Sequence, residues 1–363
     1  MRICIVGNGS IGSYTALKLA KDFPSAEITL IGPSERNWAA STAAGAMANV
    51  YAEMEKSTGL VHETNLKYLE MGKFGSAEWK KFLKATGGMN AITSDYTYVY
   101  LKNDHSEFEA GNFYAVTEAA EQDGVLSKLK SQDIRSEFPS YATTTVSEAI
   151  RINGEFSLST LNLFNHFERL LEISQIKLVK ESVKFVDTSK KRILLNSLDK
   201  AEIKYDQLVI CAGARTSTLL EPKLIMPIFQ GVGVAILLDE VRDLEMNKLR
   251  KGVFRSVNRG GAQCGIHLVP REQGKFYLGA GNYVSRVEDP RIRLDTIRYL
   301  LETLSKDLVG RNLGYELSGE FKLGLRPRSL DGFPLIGPIV SHPDIFVASG
   351  TNRAGLTWAP FIS

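Results

Sequence analysis

A glycine motif near the start of the chain is the clearest site for chemistry in this sequence. Gly7, Gly9 and Gly12 have the spacing Gly-x-Gly-x-x-Gly. In this motif the first glycine permits a tight turn, the second lets the backbone approach a pyrophosphate, and the third lets a helix pack on a sheet. The pyrophosphate then meets free N–H groups and the positive end of the helix dipole. The motif therefore predicts a dinucleotide site formed by Gly7, Gly9, Ser10, Ile11 and Gly12.

The segments on either side of the motif are those that such a site requires. Ile3 to Val6 is a short apolar run typical of a buried strand, and Tyr14 to Lys21 has helical spacing. Glu27 to Ile31 predicts the next strand. Together they make a βαβ unit of about thirty residues, which is the context in which the glycine motif is specific.

One residue of the predicted dinucleotide site is missing. An acidic residue that hydrogen-bonds the ribose usually lies about twenty residues beyond the third glycine, at the end of the second strand. Gly32 holds that place here, and Ser34 and Glu35 follow as residues that could contact the ribose instead. Losing a hydrogen bond to a charged group removes roughly 1.5–3 kcal/mol. We therefore expect weak dinucleotide binding, and we expect Gly32→Glu to strengthen it.

Composition and charge exclude several classes of protein. The 363 residues include 44 Lys and Arg and 41 Asp and Glu, and a net charge of +3 argues against nucleic acid or an anionic membrane as the main partner. Cys4, Cys211 and Cys264 lack metal or redox spacing, the histidines are scattered, and no metal site is predicted. We expect Cys4 and Cys211 to be buried. Without a leader-like start or a run of about 18 apolar residues, a cytoplasmic protein is expected.

Several segments spread along the chain resemble the D-amino acid oxidase superfamily of FAD proteins, and within it the glycine oxidase branch. They are the glycine motif at 7–12, the small-residue run at 41–47, the strand and Ala-Gly-Ala turn at 208–214, a hairpin at 267–280, and the C-terminal segments 324–327, 331–337 and 349–360. The C-terminal segments, which begin with Gly-Leu-Arg-Pro, are the most specific. In the family this stretch closes over the flavin ring.

The resemblance implies an α/β fold with two interleaved domains. A Rossmann-type FAD-binding domain would comprise residues 1–85, 146–222 and 320–363. A smaller α+β substrate domain, built on a mostly antiparallel sheet, would comprise 86–145 and 223–319. No cysteine lies near the Gly-Leu-Arg-Pro segment, where one subgroup of the family attaches its flavin, so FAD is expected to be non-covalent.

The resemblance also implies which residues hold FAD. Besides the glycine motif, they are Ser34, Glu35, Ser41, Thr42, Ala44, Gly45, Met47, Val183, Ala212, Gly213, Gly350, Asn352, Arg353, Ala354, Gly355, Leu356 and Thr357. The backbone N–H groups of residues 350–356 are expected to face the flavin pyrimidine. There they would stabilise negative charge on the reduced ring.

Three side chains are candidates for contact with the substrate. The resemblance implies that Arg326 holds a substrate carboxylate, which suits a guanidinium because its fork donates two parallel hydrogen bonds. The alternative is a structural arginine bonded to backbone carbonyls. Arg353 belongs either to the active site or to a structural pair with an acid such as Asp331. His267 lies either near the substrate or in a strand as a structural residue.

The activity that the resemblance implies is FAD-dependent oxidation of a C–N bond in a small amine or amino acid, with hydride transfer to flavin. Phe229 stands where the family often has a basic residue, and this departure adds to the one at Gly32. Both departures leave a second interpretation open, in which a flavoprotein with weakly bound FAD acts on a protein-borne or larger biosynthetic substrate. That interpretation implies a protein partner. A non-catalytic FAD-binding protein is a third interpretation.

Overall fold

The computed structural model describes residues 1–56, 60–196, 202–221, 224, 226–240, 244–259, 264–285, 291–308 and 317–363. The strands are β1 (Arg2–Val6), β2 (Glu27–Ile31), β3 (Met47–Ala48), β4 (Ile92–Lys102), β5 (Leu126–Lys128), β6 (Val146–Leu158), β7 (Lys177–Val179), β8 (Val183–Asp187), β9 (Arg192–Leu195), β10 (Glu202–Lys204), β11 (Gln207–Ile210), β12 (Ile228–Leu238), β13 (Gly252–Ser256), β14 (His267–Pro270), β15 (Phe276–Ser285), β16 (Gly319–Ser329), β17 (Leu335–Ile339) and β18 (His342–Ser349). The helices are α1 (Ser10–Asp22), α2 (Leu60–Thr86), α3 (Glu107–Gln122), α4 (Ser131–Glu137), α5 (Ser140–Thr145), α6 (Thr160–Ile173), α7 (Leu244–Asn247), α8 (Leu294–Thr303) and α9 (Ala359–Ile362).

A six-stranded sheet holds the glycine motif at its centre. Its strand order is β17-β18-β11-β1-β2-β7. The pairs from β18 to β7 are parallel, and β17 is antiparallel to β18. The carboxyl ends of β1, β2 and β11 therefore meet at one edge, which is where α/β sheets bind ligands.

The two faces of this sheet are covered by different layers. Ile3 and Ile5 of β1 pack with Tyr14 of α1 and Phe167 of α6, so helices cover one face. Cys4 and Val6 point the other way, and there they pack with Ile193 and other residues of the antiparallel sheet β10-β9-β8. Because alternate residues of a strand face opposite sides, both sets must be apolar. This explains why β1 is a continuous apolar run.

A second, larger sheet lies beside the first. Its order is β16-β12-β15-β14-β13-β4-β6-β3, and β5 also pairs with β6. The pairing is antiparallel except between β13 and β4. Its apolar core includes Val234, Leu268 and Leu278, with Leu300 of α8 packed against them. The sheet brings together strands that are far apart in sequence.

The α/β class with a mostly antiparallel second sheet is confirmed. The domain boundaries stay a prediction, and the one between 222 and 223 lies outside the described residues. Cys4 and Cys211 are buried, as expected. In the described ranges, no helix is both long and apolar enough to cross a lipid bilayer.

Helix α2 makes its closest backbone contact with the C-terminal segment through Gly75. A Cβ at this position would lie only 2.1 Å from the carbonyl oxygen of Thr357. Trp79, one turn further along α2, donates from Nε1 to the carbonyl oxygen of Leu356 at 2.7 Å. These contacts hold residues 356 and 357 in place, and both residues line the main cavity of the protein.

We expect Gly75→Ala to lower the free energy of unfolding by about 1–3 kcal/mol, because the added methyl group must push backbone aside. Gly111→Ala in α3 is the matched control, since its methyl group would meet only the flexible side chain of Lys56. Alanine is favoured over glycine in a helix by about 1 kcal/mol, so the control should gain stability or stay unchanged. Urea denaturation measures both effects. Stabilisation by both substitutions would contradict the close contact.

Candidate cofactor and substrate site

The glycine turn has the backbone geometry that the motif predicts. Gly7 has a φ of +109°, and a Cβ there would lie 2.3 Å from the carbonyl oxygen of Cys211 at the end of β11. A Cβ on Gly12 would lie 1.8 Å from the carbonyl oxygen of Gly7. No side chain larger than hydrogen fits at either position, which lets β1, α1 and β11 converge. Gly12 therefore has the packing role of the third glycine and does not line the cavity.

The N-terminus of α1 opens onto this cavity. Its N-cap residue is Gly9, which has no side chain with which to cap the helix. The first N–H groups of a helix have no partner within the helix and carry the positive end of its dipole. Ser41 Oγ accepts from Ser10 N at 3.1 Å, which links the small-residue run to the turn. The arrangement suits an anionic group such as a pyrophosphate.

The cavity extends from the glycine turn to the large sheet. Of the residues that the sequence analysis named, it is lined by Gly7, Gly9, Ser10, Ile11, Ser41, Ala44, Gly45, Met47, Val183, Ala212, Gly213, His267, Arg326, Asn352, Arg353, Ala354, Gly355, Leu356 and Thr357. These residues come from both sheets and from both ends of the chain. A ligand that filled the cavity would therefore be held by distant segments at once.

Four further residues expected to hold the cofactor do not line the cavity. Ser34 and Glu35 are exposed beyond the end of β2. Thr42 uses its hydroxyl to donate to the carbonyl oxygens of Arg36 and Ala39, which closes the loop from within. Gly350, with a φ of +76°, forms a turn beside β17. These residues shape or flank the wall.

The side chain of Asn8 occupies the space beside Gly32, where the ribose-binding acid was expected. A Cβ on Gly32 would lie 2.4 Å from Asn8 Cγ. The expectation that Gly32→Glu strengthens binding is therefore corrected, because a glutamate side chain would collide with Asn8. The spacing of the motif does not show this contact, since Asn8 and Gly32 lie on different strand ends.

Arg326 lies on β16 and crosses the neighbouring strand β12. A Cβ on Gly233 would lie 2.7 Å from Arg326 Nη2, so glycine is needed to admit the guanidinium. Arg326 Nη1 donates to Asn282 Oδ1 at 2.8 Å and contacts Cys264 Sγ at 3.9 Å. Among the described residues these partners are an amide and a thiol, and neither is a carboxylate. Arg326 does not bond backbone carbonyls there, and its charge is available to an anionic ligand.

Arg353 is held by two carboxylates. Its Nε lies 2.8 Å from Glu53 Oε2, and its Nη2 lies 2.8 Å from Glu55 Oε1. The acids of this pair are therefore Glu53 and Glu55, and the suggested partner Asp331 is not among them. Arg353 also lines the cavity, and its role in the active site stays a prediction.

Glu53 is shared between two arginines. Its Oε1 accepts from Nη1 of the buried Arg255 at 2.6 Å, while Oε2 faces Arg353. Burial alone would raise the pKa of Glu53, but the charges of Arg255 and Arg353 outweigh burial and lower it to about 2. Within this cluster three guanidinium groups face two carboxylates. One positive charge remains in excess, and it belongs to Arg326.

Cys264 lies between the two cavity arginines. Its Sγ is 3.8 Å from Arg353 Nη1 and 3.9 Å from Arg326 Nη1. Burial alone would raise the pKa of this thiol, but the charges of Arg353 and Arg326 outweigh burial and lower it. The thiol thus lies in the positively charged part of the cavity. Nothing in the spacing of Cys264 along the chain indicates this position.

His267 lies in β14 and is buried against the wall of the cavity. Its ring stacks on Tyr277, and its Nδ1 lies 3.0 Å from the carbonyl oxygen of Gly265. Burial, with the charge of Arg255 in support, lowers its pKa to about 3. The imidazole is therefore neutral at physiological pH. It is both packed in a strand and exposed to the cavity.

Tyrosines alternate along β4 at positions 96, 98 and 100, where they either form a packed face or line a pocket. Tyr98 and Tyr100 are buried in the core of the large sheet, and Tyr100 stacks on Phe254. Tyr98 also contacts Glu137 through its hydroxyl. Neither tyrosine lines the cavity, so a packed face rather than a pocket wall describes them.

A βαβ unit with a glycine turn, joined to a cavity that both sheets line, defines a dinucleotide-binding protein of the flavoprotein type. The chain belongs to the DAO family of FAD-dependent oxidoreductases, whose sequence model matches residues 2–363. The family that the sequence segments resemble is thereby confirmed, and so is the prediction of an FAD-dependent oxidoreductase.

Individual proteins are similar over nearly the whole chain. The uncharacterized oxidoreductase YurR of Bacillus subtilis is 24% identical over 375 residues, which cover 99% of this chain and 91% of that protein. The crystal structure of glycine oxidase from Geobacillus kaustophilus has a TM-score of 0.79 at 18% identity, covering 99% of this chain and 92% of that one. Iminodiacetate oxidase (IdaA) from Chelativorans sp. BNC1 has a TM-score of 0.78 at 17% identity, with 99% and 93% covered. At these identities the structural likeness shows the fold.

The residues of the cavity fit FAD. The uncapped N-terminus of α1 and the close approach at Gly7 and Gly9 form a place for the pyrophosphate. Small residues such as Ala44 and Gly45 leave the adjoining wall open, and a Cβ on Gly45 would already lie 3.2 Å from His267 Nε2. The lining continues from there to residues 352–357, which leaves a continuous path for a long cofactor.

Sequence reasoning missed several residues of the site, namely Asn8, Glu53, Glu55, Arg255, Gly233, Cys264 and Asn282. One signal could have identified Arg255. It is a charged residue inside the strand run Gly252 to Ser256, and its side chain is 1% exposed. A charge in such a run needs a buried partner. Nothing in the sequence spacing indicates that the partner is Glu53.

The lowered pKa of Glu53 predicts a pH-dependent contribution to stability. The carboxylate ordinarily titrates at 4.5, so its ion pairs stabilise the fold fully above that pH and are lost as the pH falls towards 2. We expect Glu53→Gln to be less stable than wild type at pH 7, and the difference to shrink at pH 3. Urea denaturation at the two pH values measures this. Glu172→Gln, on the exposed side of α6, is the control, and a difference that grew on acidification would contradict the assignment.

Proposed function

We propose that this flavoprotein oxidises the C–N bond of a small amine or amino acid that carries one carboxylate. The observation that carries the proposal is the charge of Arg326 and the groups that it contacts. Arg255 and Arg353 share Glu53 and Glu55, whereas Arg326 has no carboxylate partner among the described residues. A guanidinium at a cavity wall without a carboxylate partner suits bidentate binding of a ligand carboxylate.

Each residue of the cluster has a separate part in this proposal. Arg326 binds and orients the substrate carboxylate, and Asn282 holds the guanidinium in position. Glu53 and Glu55 neutralise Arg353, so a second carboxylate on the substrate would find no further excess charge. His267 is neutral and buried, and therefore presents a hydrogen-bonding wall without adding charge.

FAD, when bound, supplies the chemistry by accepting a hydride from the carbon of the C–N bond. The protein orients that carbon and excludes water. Holding two reactants together in this way lowers a large part of the activation barrier. Support for a small nitrogen-containing substrate comes from two structurally similar proteins, a glycine oxidase and an iminodiacetate oxidase. We further propose that the cofactor is held non-covalently.

A larger or protein-borne substrate is the second candidate, and one observation favours it. A second cavity adjoins the first beyond Cys264, and it is lined by Asn282, Thr296 and Tyr299, among others. Cys264 borders both cavities. A substrate with a longer group next to its carboxylate could extend into this space, with FAD bound more weakly than in relatives that carry the ribose-binding acid.

Removing the guanidinium should affect carboxylate-bearing substrates selectively. We expect Arg326→Ala to raise the KM for the best amino acid about 10- to 150-fold, the equivalent of a lost charge-assisted contact of about 1.5–3 kcal/mol. The corresponding amine without a carboxylate should change little. The measurement is anaerobic bleaching of the flavin by a panel of amino acids and amines, followed by steady-state kinetics.

Arg328→Ala is the matched control, because Arg328 lies two residues along the same strand and does not line the cavity. It should leave the KM unchanged. Bleaching by no small compound while FAD is bound would reject the small-substrate proposal and favour the larger substrate. Equal losses for an amino acid and its decarboxylated amine would show that Arg326 does not bind a carboxylate.

A further inference from the structure

Asn8 and Gly32 form a matched pair of residues that contact each other. A Cβ on Gly32 would lie 2.4 Å from Cγ and 2.5 Å from Oδ1 of Asn8. An acidic side chain at position 32 and an asparagine at position 8 would therefore compete for the same space in this backbone. The absence of a side chain at position 32 is what admits the side chain at position 8.

The amide of Asn8 is held in one orientation. Its Nδ2 donates to the carbonyl oxygen of Pro33 at 2.8 Å, across the gap between the ends of β1 and β2. Its backbone carbonyl oxygen accepts from Arg36 Nε at 3.1 Å and from the hydroxyl of Ser13 at 3.2 Å. Within the described part of the chain no group donates to Oδ1. The side chain lines the cavity, so this acceptor remains for a ligand.

The position of this acceptor identifies its ligand group. In the βαβ unit, the end of the second strand is where an acidic residue accepts from the ribose of the adenosine. Gly32, which holds that place, also lines the cavity. Arg36 is on the same wall, but its guanidinium is engaged by Glu168 at 3.0 Å and lies over the ring of Phe164.

We propose that Asn8 is the ribose-binding residue of this FAD site. Its Oδ1 accepts a hydrogen bond from a ribose hydroxyl of the adenosine, in place of the acid that the motif ordinarily has. An amide acceptor is neutral, and such hydrogen bonds are roughly half as strong as charge-assisted ones. The proposal concerns the cofactor and does not depend on which substrate is oxidised.

The first experiment measures binding and not activity. Wild type and Asn8→Ala are titrated with FAD, with FMN, and with an FAD analogue whose adenosine ribose lacks both hydroxyls, and quenching of flavin fluorescence gives the Kd. Asn8→Ala should weaken FAD binding about tenfold, the equivalent of about 1.4 kcal/mol. Binding of the analogue and of FMN should be unchanged. Asn103→Ala is the control, since Asn103 also donates to a backbone carbonyl but does not line the cavity.

Wild type alone gives a second test that needs no variant to fold. It should bind FAD about tenfold more tightly than the analogue without ribose hydroxyls. Equal affinities would overturn the proposal, as would a loss in Asn8→Ala that was the same for FAD and for the analogue.

The exchange of the two side chains gives a third test. Gly32→Glu alone should bind FAD no better than wild type, because the new side chain meets Asn8. The double variant Asn8→Gly, Gly32→Glu provides the usual acid with space to occupy, and it should bind FAD at least as tightly as wild type. It should also still discriminate against the analogue. Tighter binding by Gly32→Glu alone would overturn the proposal, since Asn8 would then be a bystander.

Discussion

The arrangement of the arginine end of the cavity, which Arg255, Arg326 and Arg353 form, depends on the two ion pairs of Glu53. This carboxylate lies on the segment after β3, and it contacts Arg255 of the large sheet and Arg353 of the C-terminal segment. Three parts of the chain that are far apart in sequence are thereby joined at one point. Removing one partner of a buried charge cluster leaves an unpaired charge, which costs more than the pair contributes. The cluster thus favours a single arrangement of these segments.

The same cluster decides which charge the cavity offers. Glu53 and Glu55 balance the charges of Arg255 and Arg353. Within the cluster, only the charge of Arg326 is not balanced by a carboxylate. The lowered pKa of the Cys264 thiol is a consequence of the same field. The cofactor end of the cavity relies instead on backbone groups, where the glycines at positions 7 and 9 and the uncapped α1 replace side-chain cations.

The two ends of the cavity therefore depend on different interactions. Backbone N–H groups recognise a phosphate without needing a particular side chain, and the shape of the turn carries the specificity. Asn8 and Gly32 modify the cofactor end of the cavity sterically, since the Asn8 side chain fits only because position 32 has no side chain. Charge balance and glycine at position 233 govern the arginine end, where a guanidinium must cross a neighbouring strand.

The sequence by itself determined the βαβ unit through local periodicity and glycine spacing, and the α/β class and the family through the segments that resemble that family. Fewer than half of the residues that line the cavity were named from the sequence. The roles of Gly7 and Gly12 follow from the motif, whereas Arg326 was named from the resemblance to the family. The tertiary structure alone decided the partners of Arg353, the place of Cys264, and the contact of Asn8 with Gly32. Each of these joins residues from separate strands or segments. Spacing along the chain cannot encode which strand ends meet, since strand order and register result from packing of the whole fold.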